Sequence, residues 1–163
     1  MNLEINPAAL DSPEAVALDA ELQQEYLIRY GGPDTTPVAP QEFTSPGGVF
    51  LVAWLDGEAV GCGGFRTVGD GVAEVKKMYV SPAARGRGVA KGLLAALEER
   101  AAASGCGQVV LETGSVQPEA FALYTSHGYR ATPPFGIYRD SPAARHLGKS
   151  LLPAGPSVPR MRA

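Results

Sequence analysis

Apolar and polar positions along the chain follow two periods, and the switches between them outline a fold. From Pro13 onward, Ala15, Leu18, Leu22, Tyr26 and Tyr30 recur every three or four positions, the spacing of one helical face. Ser12 is placed to cap this helix, Pro13 and Glu14 suit its first turn, and Gly31-Gly32-Pro33 stops it. Residues 31–48, rich in Pro, Gly and Thr, are expected to form a long loop bordering a pocket. Period-two runs follow. Residues 49–54 read as a strand, Leu55-Asp56-Gly57-Glu58 as a tight turn, and 59–68 as a second strand loosened by glycines. Gly69-Asp70-Gly71 turns the chain into a strand at 73–80, which completes an antiparallel meander.

The helical period returns with Val89, Leu93, Leu97 and Ala101 on one edge, Ala90 and Leu94 beside them, and Gly105 as the stop. Residues 108–112 form a short β-branched run reached through that helix, so they should lie parallel to 73–80 by a right-handed crossover. A further helix is predicted over 117–127, with Ala120, Leu123 and Tyr124 on its apolar side and His127-Gly128 as its cap and stop. Residues 129–137 and 145–152 read as late strands around Pro133-Pro134 and Ser141-Pro142. The pattern predicts an α/β (α+β) chain with a mixed, mostly antiparallel sheet, one parallel strand pair and flanking helices. A single domain is expected over 1–152, followed by an extended, aperiodic tail at 153–163.

Composition narrows the ligand. A length of 163 residues suits one domain, and a net charge of −3 with pI near 5.4 disfavours nucleic acid as the partner. A local basic cluster in such a chain suggests a small phosphorylated ligand instead. Cys62 and Cys106 lie far apart without CxxC spacing, so neither a metal site nor a disulfide framework is expected, and a reducing cytoplasm fits. The sequence lacks the pattern of a signal peptide and has no apolar run long enough to span a bilayer, so a soluble, cytoplasmic protein without a membrane partner is expected.

The chemistry concentrates in residues 73–101. After Met78-Tyr79-Val80 and the break at Ser81-Pro82, the loop Arg85-Gly86-Arg87-Gly88-Val89-Ala90 opens directly into a helix. Glycines let the backbone bend close to a ligand, and the uncapped first-turn N–H groups at the positive end of the helix dipole favour a phosphate. Lys76, Lys77, Arg85, Arg87 and Lys91 add positive charge nearby. A dinucleotide fingerprint would need a third glycine where Lys91 stands, and a meander is the wrong context for it; no GxxxxGK[ST] run exists either.

Arg85-x-x-Gly88-x-Ala90 after a strand ending Met78-Tyr79-Val80 resembles the acetyl-coenzyme-A-binding motif of the GNAT superfamily of N-acetyltransferases. Ala120-x-x-Leu123-Tyr124-x-x-x-Gly128-Tyr129 resembles the family's second signature, and the order of elements agrees over roughly residues 10–152. The resemblance implies a GNAT-like sheet with two splayed parallel strands, here 73–80 and 108–113, that hold the pantetheine arm of acetyl-CoA. It implies that Arg85, Gly86, Arg87, Gly88, Val89, Ala90 and Lys91 surround the diphosphate and that Met78, Tyr79 and Val80 line the arm. Gln117 stands where the family often has an asparagine contacting the pantetheine.

Acetyl transfer to an amine needs a proton acceptor for the amine and a proton donor for the departing thiolate. Glu74 should share a strand face with Met78, because side chains repeat every two residues, and family members with a glutamate at this spacing use it as general base. Tyr124 is the candidate general acid, since a phenol titrates near pH 10. Substrate contacts are expected from Glu25, Tyr26, Arg29 and Tyr30 on the first helix and from Glu112, Phe135 and Tyr138; Arg29 has the chemistry to bind a carboxylate. Neither cysteine sits where an acyl-carrying nucleophile would, so direct transfer to a primary amine (a small molecule, an amino acid or a peptide) is expected, with a small-molecule amine as the partner, from a monomer or homodimer and without metal. A coenzyme-A-binding regulatory module and an acetyltransferase for protein lysines or N-termini are the competing functions.

Overall fold

The computed structural model describes residues 1–152; the tail expected over 153–163 lies outside the described residues. In chain order the elements are β1 (Leu3–Pro7), α1 (Pro13–Tyr30), β2 (Gly48–Leu55), β3 (Glu58–Gly69), β4 (Val72–Val80), α2 (Val89–Ala103), β5 (Gln108–Gly114), α3 (Pro118–Ser126), β6 (Arg130–Ala131) and β7 (Ala144–Ser150), with short 3-10 turns at Pro40–Phe43 and Pro82–Ala84. The strands form one seven-stranded sheet in the order β1-β2-β3-β4-β5-β7-β6. All neighbours are antiparallel except β4 and β5.

The two long helices cover opposite faces of this sheet for the reason their apolar stripes predict. The α2 side chains Val89, Leu93, Leu94, Leu97 and Ala101 are buried with Leu51, Phe65, Ala73, Val75 and Leu111 from the sheet. On the other face Ala15, Leu18 and Leu22 of α1 pack with Phe43, Phe50, Val52, Cys62 and Tyr79. The start of α1 is as expected, with the Ser12 hydroxyl accepting the Ala15 N–H at 3.3 Å. It ends on Gly31 at φ +80°, a left-handed conformation in which glycine carries no penalty.

The expected strand over 129–137 shrinks to Arg130–Ala131. Pro133 and Pro134 remove two main-chain donors and Gly136 adopts φ +72°, so pairing with β7 stops and residues 132–143 become a loop. The expected strand over 145–152 is present as β7.

Leu93 is completely buried at the contact between α2 and the sheet. Leu93→Ala is expected to cost about 2–5 kcal/mol, from lost transfer energy plus the cavity left behind. A lowered urea midpoint with an unchanged m-value would record it.

Candidate active site

The β4 and β5 strands pair only over Val72–Glu74 and Gln108–Val110. Beyond that point β4 stays with β3 as far as Val80, and β5 stays with β7 as far as Gly114, so the sheet opens into a wedge. A cavity of about 430 Å³ occupies the wedge and passes through the sheet. Its walls include Val75, Met78 and Leu111 with Tyr124 of α3, while Tyr26, Tyr30 and Asp34 border it from the α1 side. The main-chain groups of the two diverging edges have no strand partner across the gap, which suits an extended amide-bearing ligand lying between them.

A bulge in β4 sets what faces this cavity. Lys77 adopts φ +61°, and the register against β3 shifts between Cys62 and Gly64. One extra residue reverses the alternation beyond it. Ala73 and Val75 therefore share the α2 face with Met78 and Val80, whereas Glu74 lies on the opposite face with Lys76, Lys77 and Tyr79. The expectation that Glu74 and Met78 share a face is corrected on this ground. Glu74 is 4% exposed and does not line the cavity. Its carboxylate accepts from Arg66 Nε at 2.9 Å, and the same guanidinium bonds Glu42 at 3.1 Å and the Pro37 carbonyl at 2.8 Å. Tyr79 likewise points away from the cavity, its hydroxyl 3.2 Å from Glu21.

A different carboxylate reaches the cavity. Glu112 of β5 is opposite His146 of β7 in register, and Glu112 Oε2 and His146 Nε2 are 2.9 Å apart. Phe135 covers His146 edge-on at 5.0 Å, and Gly136 lies over the Glu112 carboxyl. Burial raises the pKa of Glu112 above the usual carboxylate value, and Glu74 adds to the rise; Lys76 and His146 only partly offset it. Tyr124 lines the same cavity, packed against Tyr129 at 5.8 Å. Neither Tyr124 nor Tyr26 has a hydrogen-bond partner among the described residues, yet no buried side-chain oxygen is left unpaired, so both hydroxyls open onto the cavity. Burial pushes both phenols well above pH 10, and both remain protonated donors at neutral pH.

At the wide end of the wedge, α2 begins on Gly88 at φ +81°, with Gly86 at φ +79° and no side-chain cap. The first intrahelical bond runs from the Gly92 N–H to the Gly88 carbonyl, which leaves the N–H groups of Val89, Ala90 and Lys91 without intrahelical partners. Arg87 and Lys91 are exposed beside them. These groups fit a diphosphate. Arg85 braces the loop: Nε donates to the Val80 carbonyl at 2.9 Å and Nη2 pairs with Glu25 at 3.1 Å. Lys76 and Lys77 do not belong to this cluster, since Asp34 and Asp19 on the α1 side hold each of them at 2.9 Å.

The last turn of α1 bridges to α3. Arg29 donates to the Val116 carbonyl at 2.9 Å and pairs with Glu25 and Glu119, so it does not face the cavity. The Tyr30 hydroxyl donates to Gln117 Oε1 at 2.9 Å and sits against Gly114, where any side chain would collide with it. Tyr138 joins the two roof loops by accepting the Thr35 N–H at 3.0 Å. Sequence reasoning missed Asp34, Lys76 in its cavity role, and His146, because each is defined by a partner from a distant element.

Both cysteines are buried and free, and burial pushes the Cys62 thiol up to about 12, which removes it as a nucleophile at neutral pH. Among the described residues no cluster of three or more His, Cys, Asp or Glu side chains could hold a metal, and no helix is long and apolar enough to cross a membrane.

A mixed, mostly antiparallel sheet with one parallel pair, β4 and β5, flanked by helices is the fold of an acetyltransferase, and comparison with known proteins agrees. The profile of the acetyltransferase (GNAT) family matches residues 17–129. The IAA acetyltransferase of Azospirillum brasilense is 38% identical over 112 residues, covering 68% of this chain and 73% of its own. The crystal structure of an acyl-CoA N-acyltransferase from Klebsiella pneumoniae superposes with a TM-score of 0.77 at 35% identity, over 92% of this chain and 98% of that one. A GNAT acetyltransferase from Elizabethkingia anophelis, solved with acetyl-CoA bound, shares the fold at a TM-score of 0.65 and 19% identity, over 91% of this chain and 98% of that one. The chain belongs to the GNAT acetyltransferase family and is an acyltransferase.

Glu74→Gln is expected to lower stability by about 1–3 kcal/mol through the weakened buried pair with Arg66. Turnover of the folded variant should stay close to wild type. Parallel denaturation and initial-rate measurements check both halves.

Proposed function

We propose that the protein transfers an acetyl group from acetyl-CoA directly to the nitrogen of a small primary amine. The observation that carries this reading is the cavity through the splayed strands, onto which the Glu112 carboxyl and the Tyr124 hydroxyl both open. The N–H groups of Val89, Ala90 and Lys91 with Arg87 would hold the diphosphate, and the free edges of β4 and β5, with Gln117 and Met78, would hold the pantetheine arm. Acetyl-CoA bound there supplies the activated acetyl group as a thioester.

The chain's own groups then manage protons. Glu112 takes a proton from the acceptor's ammonium, which leaves a nitrogen lone pair for the new C–N bond. Tyr124, kept protonated by its burial, donates to the sulfur as the C–S bond breaks, and the second proton shed by the nitrogen as the amide forms returns to the phenolate. His146 holds Glu112 from behind and fixes its orientation. Glu112 replaces Glu74 as the proposed base because Glu74 is turned to the other side of the strand and bonded to Arg66.

The roof supports a small acceptor over a protein lysine or N-terminus. Gly32, Pro33 and Asp34 border the cavity together with Tyr138, Ser141 and Ala143, and the Tyr138–Thr35 bonds join the two loops across it, which favours a small acceptor over a polypeptide. Two proton-transfer groups facing one cavity also weigh against a module that only binds coenzyme A.

Free-thiol release from acetyl-CoA across a panel of amines tests the activity, and intersecting initial-rate lines test direct transfer; parallel lines with a trapped acetyl-cysteine would overturn it. Tyr124→Phe should lower kcat by about 100-fold or more, in the range of general acid–base catalysis, while affinity for acetyl-CoA is largely retained. Because Glu112 must be ionised to accept a proton and its pKa is raised, kcat/KM should fall on acidification at a pH above the ordinary glutamate value of about 4.3. In Glu112→Gln that acid limb should disappear along with most of the turnover.

A further inference from the structure

The charged groups around the cavity say what kind of amine it accepts. Two cationic side chains line it among the described residues, Lys76 and Lys77, and both are already neutralised. Lys76 Nζ is 2.9 Å from Asp34 Oδ2, and its side chain is 9% exposed. Lys77 Nζ is 2.9 Å from Asp19 Oδ1. The Asp34–Lys76 pair is itself held in place, because Asp34 Oδ1 also accepts the Thr36 N–H at 2.9 Å and the Thr36 hydroxyl at 2.7 Å. Burial alone would raise the Asp34 carboxyl, but Lys76 and Thr36 outweigh it and keep the group ionised. Arg29, the residue whose chemistry suits a substrate carboxylate, is turned to Val116, Glu25 and Glu119 instead.

What remains open to a ligand has the opposite character. Glu112 presents a carboxyl to the cavity, Tyr26 and Tyr124 present unpartnered hydroxyls, and Tyr30 and Tyr138 add aromatic surface with their hydroxyls already bonded. An ammonium finds a carboxylate and ring faces here. A carboxylate on the same molecule would lose its water, find no free cation among the described residues that line the cavity, and lie near Asp34 and Glu112.

Resting on the acetyl-transfer reading above, we propose that the acceptor is a primary amine on an uncharged, partly apolar body, and that the Asp34–Lys76 pair excludes amines that also carry a carboxylate. Asp34 is then a specificity-determining residue. It occupies the lysine that an amino-acid substrate would need, and it adds a repulsive charge against that substrate.

Matched pairs that differ only in the carboxylate test this: 2-phenylethylamine against phenylalanine, tyramine against tyrosine, and ethanolamine against serine, each with acetyl-CoA and the wild-type protein, followed by thiol release. Each decarboxylated amine should exceed its amino acid in kcat/KM by about tenfold or more, the scale on which an unpaired buried charge discriminates. Asp34→Asn keeps an oxygen for Thr36 but frees Lys76, and should lower that ratio by about tenfold, mainly through better use of the amino acids. Amino acids used as well as or better than their amines by the wild-type protein would overturn the inference and leave acetyl transfer standing. A ratio unchanged in a folded Asp34→Asn protein would overturn the role of Asp34. No thiol release with any amine of the set would overturn acetyl transfer itself, and this inference with it.

Discussion

The structure depends on one broken ladder. β4 and β5 begin as an ordinary parallel pair and separate after Glu74 and Val110, each remaining bonded to its outer neighbour. A central sheet normally gains from continuing such a pairing, since each unmatched main-chain group must find another partner. Here the lost hydrogen bonds open a wedge through the middle of the fold, and both helical layers are arranged around it. α1 and α2 pack on opposite faces of the half-sheet β1–β4, and α3 lies against β5 on the other side of the wedge.

The bulge at Lys77 works with the wedge. By putting Lys76 and Lys77 on the same face, it directs two lysines toward the carboxylates of α1 and its following loop, and it turns Met78 to the opposite side. The α1 side of the cavity is thereby closed with ion pairs, and the α2 and α3 side with apolar contacts and the Tyr124 ring. Buried pairs of this kind contribute little net stability, because desolvation offsets their attraction. Their effect is to decide which charges remain available to a ligand: Lys76 and Lys77 are taken up by Asp34 and Asp19, whereas Glu112, bonded to His146 through Oε2, has no hydrogen-bond partner on Oε1 among the described residues.

The last turn of α1 ties these parts together. Glu25 pairs with both Arg85 of the phosphate loop and Arg29, and Tyr30 reaches Gln117 at the start of α3 over a glycine that leaves room for its hydroxyl. The helix therefore touches both the loop before α2 and the start of α3 at once. An anion at the α2 N-terminus would compete with Glu25 for Arg85.

Residue order alone determined the elements whose signals are local. The α1 stripe with its Ser12 cap and Gly31 stop, the meander turns, the glycine-started α2 and the Tyr124 signature were all legible, because hydrophobic period and turn chemistry act over a few neighbouring residues. Tertiary structure decided the rest. The period-two rule put Glu74 beside Met78, and one left-handed residue, unmarked by glycine, reversed that assignment. Glu112 was legible as a pocket residue, but its pairing with His146, brought opposite it by strand pairing 34 residues later, was not. Asp34 and Lys76 met across a separation of 42 residues. Ion pairs and a bulge of this kind are set by which strands become neighbours, and no local pattern encodes that.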